Sequence, residues 1–171
     1  VSNTTFSFGE KTQEYDFPVF NEREVRAAAG ILFLIGFAAW MYAAVTDDFQ
    51  PMRGFGVLFM LDMFLRLFVG HRFAPSMILG RFVTRNQIPE WVDAEPKKTA
   101  WYIGFGMVVT ACFTMGWLAL SGPIPLALCG ICISFLFFES AFGFCAGCWL
   151  HTRFSKTPPR LCSGGVCEVK H

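Results

Sequence analysis

The sequence predicts an all-α protein: a four-helix transmembrane bundle, with a short interfacial helix between spans two and three and a cysteine-containing cytoplasmic tail. Three observations predict it. Hydrophobic residues make up 54% of the 171 residues and charged residues 16%, against about 45–50% and about 25% in an ordinary soluble domain. Four segments supply the roughly 20 apolar residues that a helix needs to cross hydrocarbon. Twelve of the fourteen Lys and Arg fall on one side of those segments, and basic loops mark the cytoplasmic side. A chain of this length holds one domain. A formal net charge of +1 sets up no field for nucleic acid, and no nucleic-acid motif is present. The opening residues, VSNTTFSFGEKTQEYDF, show no basic stretch followed by an apolar one, the pattern of a cleavable secretory signal.

Residues 1–21 read as a cytoplasmic segment, 22–150 as the membrane domain and 151–171 as a cytoplasmic tail. Span one, about 27–45, carries no charge. Asn21 suits the N-cap of its helix, with Glu24 at the third position of a capping box and Phe20 and Val25 placed as a hydrophobic staple. Span two, about 51–69, starts at Pro51, a first-turn residue, and Gly70 suits its exit. Span three is about 99–120, with Pro96 just ahead of it. Span four is about 125–150, and the short SGPIP connection makes spans three and four an antiparallel hairpin. Lys11, Arg23 and Arg26 precede span one. Arg72, Arg81, Arg85, Lys97 and Lys98 lie between spans two and three, and Arg153, Lys156, Arg160 and Lys170 follow span four. Both termini are therefore expected in the cytoplasm. Between spans two and three, Ala74 to Arg85 places Met77, Ile78, Phe82 and Val83 near one face beside two arginines. That pattern fits a helix lying in the interface and equally one packed over the end of the bundle. Trp91 and Trp101 are expected as headgroup-level anchors. Gly104, Gly106 and Gly116 are expected to let helices approach closely.

Arg53 stands at the mouth of span two, and three charged residues fall deeper within the spans. Asp62 and Arg66 stand four apart on span two, one helix face and one ion pair. Glu139 on span four lies at nearly the depth of Arg66. A charge inside hydrocarbon must face the interior and pair, so Asp62, Arg66 and Glu139 are expected as one buried ionic cluster. It would serve either as a polar lock that fixes helix register or as a proton relay.

Seven cysteines supply the other candidate chemistry. Cys112 is a small apolar residue for packing, and Cys129 and Cys132 fit the same reading. Cys145 and Cys148 form a CxxC near the inner end of span four. A helix C-terminus opposes thiolate formation unless Gly143 and Gly147 end the helix first or His151 or Arg153 compensates. The tail adds Cys162 and Cys167 around a Gly-Gly turn. Together these read as C-x2-C, thirteen residues, C-x4-C, a pattern that suits a four-sulfur zinc or iron site with His151 as a weak further ligand. Redox or sulfur-carrying thiols at Cys145 and Cys148, a tail disulfide, and idle thiols are the alternatives. No cofactor motif is present. His71 and His151 each read as interfacial residues before they read as ligands.

Three stretches resemble a bacterial membrane family known as domain of unknown function 4395: NEREVRAAAGILFLIG, LDMFLRLFVGHRFAPSMILGR and ESAFGFCAGCWL. The resemblance implies a small four-helix protein of the bacterial cytoplasmic membrane, sometimes found near thioredoxin-like or rhodanese-like sulfur proteins, and it assigns no catalytic residue. Vitamin K epoxide reductase and its relatives also carry a CxxC on the last of four helices. They place partner cysteines in the loop between spans one and two, where TDDFQPMRG has none. The expected function is thiol or sulfur handling by Cys145 and Cys148. The alternatives are an accessory subunit of a larger membrane complex and a cysteine-ligated metal that holds the tail.

Overall fold

The computed structural model of the protein describes residues 9–10, 16–143, 149–150 and 153–154. Among them, five α-helices and one two-stranded sheet follow in the order β1 (Val19–Asn21), α1 (Glu22–Thr46), α2 (Gln50–Phe64), α3 (Pro75–Thr84), β2 (Trp91–Asp93), α4 (Ala94–Cys112) and α5 (Pro123–Phe142). α2 runs on as a π-helical segment, Leu65–Gly70, and α4 as another, Phe113–Trp117. Three helical stretches are long and apolar enough to cross a membrane: Glu22–Thr46, Ala94–Trp117 and Pro123–Phe142. The segment expected as span two is α-helical for 15 residues before it turns π-helical, and it is not one of the three. The segment expected as span four ends as a helix at Phe142, because Gly143 takes a left-handed φ of 64°.

The sheet was not expected, since strands of three residues are too short to show an alternating pattern. β1 and β2 pair antiparallel, with Phe20 opposite Val92. Each strand leads directly into a helix through a capping residue. The Asn21 side chain accepts from the Arg23 N–H at 3.3 Å, and the Asp93 side chain accepts from the Glu95 N–H at 3.1 Å. These bonds satisfy helix-start donors that would otherwise have no partner. Asn21 also donates to Glu24 at 3.2 Å, so the expected capping box closes side chain to side chain. A three-residue ribbon is only about 10 Å long, so it holds the starts of α1 and α4 beside each other. The end of α5 returns to the same place, where Arg26 of α1 donates to the carbonyls of Ser140 (3.2 Å) and Ala141 (2.9 Å). A cation there offsets the partial negative charge of the helix end.

The core runs as three clusters. Near the ribbon, Phe20 and Val25, the expected staple pair, are buried with Met77, Val92 and Trp101. In the middle, Leu32, Phe59, Met63, Val108 and Leu136 meet. At the far end Ala43, Phe49, Met52, Ala111 and Met115 pack together, and Trp40 Nε1 donates to the Leu126 carbonyl at 2.8 Å.

α3 lies against the first turns of α1. Its buried face is Ser76, Met77, Gly80 and Thr84, while Ile78, Leu79, Phe82 and Val83 are about half exposed or more. It therefore both packs on α1 and shows an apolar outer face, and Met77 parts from the residues expected beside it. Gly80 makes the contact possible: a Cβ there would stand 2.6 Å from the Glu24 carbonyl oxygen and 3.1 Å from the Ala28 nitrogen. Gly104, Gly106 and Gly116, expected at close approaches, have nothing within 4 Å of a built Cβ. Close approach falls instead at Gly36, Gly56, Gly80 and Gly130. Gly80→Ala is expected to lower stability by roughly 1–3 kcal/mol, the cost of overpacking against backbone that cannot yield. Gly104→Ala is expected to hold or raise stability, since Ala is the better helix former by about 1 kcal/mol. Thermal unfolding of the two purified variants checks the contrast.

Candidate functional site: two buried ion groups and an apolar cleft

The turn from helical to π-helical geometry in α2 carries Arg66, whose side chain is 1% exposed. Arg66 Nε donates to Asp62 Oδ2 at 2.8 Å, as the four-residue spacing predicts. Two partners were not visible in the sequence. Ser76, in the first turn of α3, donates its backbone N–H to Asp62 Oδ1 at 2.9 Å. Its hydroxyl donates to the same carboxylate and accepts from Arg66 Nη2 at 2.6 Å. Asp62 thus caps α3 from another helix. Trp101 lies under the guanidinium, 5.2 Å from ring centroid to Cζ, a cation–π geometry. Trp101 is 3% exposed, so it is a buried platform and not a headgroup anchor. A neutral pair with its hydrogen bonds filled is suited to fixing α2, α3 and α4 against one another.

Glu139 does not join this group. It pairs with Lys97, Oε1 to Nζ at 3.5 Å, and Lys97 pairs more closely with Glu22 Oε2 at 2.8 Å. The expected three-residue cluster is therefore two groups, Asp62–Arg66–Ser76 and Glu22–Lys97–Glu139. Two boundaries explain the difference. α4 starts at Ala94, five residues before the expected span, so Lys97 is a buried first-turn residue and not a loop charge. α5 ends at Phe142, so Glu139 lies in the last turn of its helix and not near its middle. The ribbon places Glu22 at the start of α1 beside Lys97 at the start of α4, and the return of α5 brings Glu139 to both.

Next to Glu139 a cleft of about 290 Å³ opens between α2, α4 and α5. Phe59 and Met63 of α2, Trp101 and Gly104 of α4, and Cys132 and Leu136 of α5 line it. Trp149 and Leu150, the two residues that follow Cys148 in sequence, also line it. The cleft was not legible beforehand, because its walls are ordinary apolar residues of three separate helices.

Cys145, Cys148, His151, Cys162 and Cys167 lie outside the described residues. Among the described residues, Cys112, Cys129 and Cys132 are free thiols, and no group of His, Cys, Asp and Glu is arranged to hold a metal. His71, expected at an interface, is 3% exposed. It meets the edge of Phe20, with centroids 4.9 Å apart, and its Nε2 stands 3.6 Å from Glu10 Oε1. Glu10 also faces Arg72 at 3.4 Å and Arg81 at 3.7 Å. The close approach of the His71 imidazole, with the charges of Arg72 and Arg81, holds its carboxyl below the usual range against the opposing effect of burial.

Asp62→Asn is expected to destabilise the fold by about 3–5 kcal/mol, because it leaves a buried guanidinium without its counter-charge. Ser76→Ala is expected to cost about 1–3 kcal/mol through lost hydrogen bonds. Unfolding measurements that rank Asp62→Asn above Ser76→Ala, and both above an exposed control such as Gln50→Ala, check the assignment.

The sequence profile of domain of unknown function 4395 covers residues 20–156. No curated protein and no solved structure matches the chain. The matched region runs from the staple residue Phe20 past the end of α5, and so takes in both ion groups and the cleft. The chain belongs to the family of domain of unknown function 4395.

Proposed function

We propose that this is a bacterial inner-membrane protein of four spans, with both termini cytoplasmic, whose Cys145–Cys148 pair handles thiols or sulfur at the inner end. Span two in this reading is α2 with its π-helical continuation, added to the three long apolar helices, and its internal charges are tolerated because Asp62 and Arg66 neutralise each other away from lipid. The observation that carries the thiol reading is the end of α5. Gly143 terminates the helix in a left-handed cap, and Arg26 occupies the carbonyls of Ser140 and Ala141. The helix end that would oppose thiolate formation is therefore closed at Gly143, two residues before Cys145 in sequence, and offset by the Arg26 cation. The chain then lines the cleft again at Trp149.

In thiol–disulfide exchange, one cysteine thiolate attacks a disulfide sulfur of a partner and expels the partner's second sulfur as thiolate. The neighbouring cysteine then displaces the partner from the mixed disulfide. The partner is reduced and the Cys145–Cys148 pair is oxidised by two electrons. A thioredoxin-like or rhodanese-like protein is the class of partner that such a pair serves. A zinc or iron ion held by Cys145, Cys148, Cys162 and Cys167 is the competing use of the same sulfurs, and metal content near one per chain would favour it.

Mass-shift labelling of the full-length protein, with and without reductant, tests the proposal. Cys145 and Cys148 are expected to take up label only after reduction in a fraction of the protein, and Cys148→Ser is expected to accumulate a mixed disulfide. Cysteines that stay unmodified in every state would end the thiol reading.

A further inference from the structure

The cleft beside Glu139 has a use that does not depend on the cysteines. We propose that it is a binding site for a lipid-soluble molecule with one apolar chain and one hydrogen-bond-donating head, an alcohol or an ammonium group. Its volume, about 290 Å³, lies at the lower end of the range for small-molecule sites, about 300–1,000 Å³. Its walls are apolar, and two of them are open at the sides: Ile103 is 38% exposed and Phe135 43%. On the four-span reading that opening faces the bilayer, so a ligand enters from lipid.

One end of the cleft is polar. Glu139 lines it, and its Oε1 accepts from Lys97 only at 3.5 Å, while the same ammonium stands 2.8 Å from Glu22 Oε2. A carboxylate oxygen bordering an apolar space is unfavourable until a donor meets it. A ligand head that donates a hydrogen bond supplies that donor, and a charged donor does so more strongly than a neutral one. A carboxylate or hydrocarbon head does not. Gly104 leaves the space open: a Cβ there meets nothing within 4 Å, so a larger side chain at this position fills the cleft and not the core.

Brominated alkyl probes test this in nanodiscs holding the full-length protein, since Trp101 and Trp149 line the cleft and bromine quenches indole fluorescence on contact. Quenching by 11-bromoundecanol and by 11-bromoundecylammonium is expected to saturate, with an apparent affinity about tenfold above that of 1-bromoundecane, the worth of one hydrogen bond. The ammonium probe is expected to bind tighter than the alcohol. Gly104→Leu is expected to abolish the saturable part, and Glu139→Gln to remove the preference for ammonium over alcohol while keeping the bond to Lys97. Quenching that rises linearly for every probe, that ignores the head group, or that survives Gly104→Leu in a protein with unchanged unfolding temperature would overturn the proposal. The thiol-labelling result stands or falls separately.

Discussion

Lys97 is the residue on which the arrangement of the helices turns. Its ammonium is nearly sealed from solvent, and a buried cation without counter-charges would cost several kcal/mol. Two carboxylates from two other helices meet it, Glu22 at 2.8 Å and Glu139 at 3.5 Å. These contacts need the starts of α1 and α4 and the last turn of α5 within one side-chain length. The β1–β2 ribbon brings the two starts together, and the Arg26 bonds to the end of α5 bring the third. Backbone pairing, helix capping and ion pairing therefore act at one end of the molecule and require the same geometry.

The second ion group extends that organisation to the remaining helices. Asp62 and Arg66 belong to α2, Ser76 to α3 and Trp101 to α4. Trp101 also stacks at a tilt on Phe20 of β1, with centroids 5.0 Å apart, so the ribbon and the guanidinium share one aromatic ring. Trp101 then lines the cleft that ends at Glu139. One indole thus meets the guanidinium on one side of the site and the cleft that Glu139 borders on the other.

Much of this was legible in the sequence wherever the signal is local. Asn21, Phe20 and Val25 announced the start of α1, because capping and stapling are fixed by spacing along the chain. Asp62 and Arg66 announced their own pairing, because four residues is one helical turn. What was not legible depends on where separate segments meet. The strands are too short for a pattern, and the extra partner of Asp62 is a serine ten residues beyond Arg66. Lys97 looked like a loop charge because hydropathy alone does not show that Asp93 caps the helix four residues earlier. Once Lys97 is inside the fold, Glu139 has a nearer cation than Arg66. The glycines show the same limit, since a small residue on a helix marks either a close contact or an open cleft, as Gly80 and Gly104 do respectively.

On the proposed four-span topology, the cysteines of the CxxC and of the tail share one aqueous side of the membrane. The most direct test uses an impermeant thiol reagent on a variant whose only cysteine is Cys162, compared between right-side-out and inside-out membrane vesicles. The account predicts modification in inside-out vesicles and protection in right-side-out ones. Modification from the outer face alone would contradict it, and would place the tail on the side opposite to the proposed chemistry.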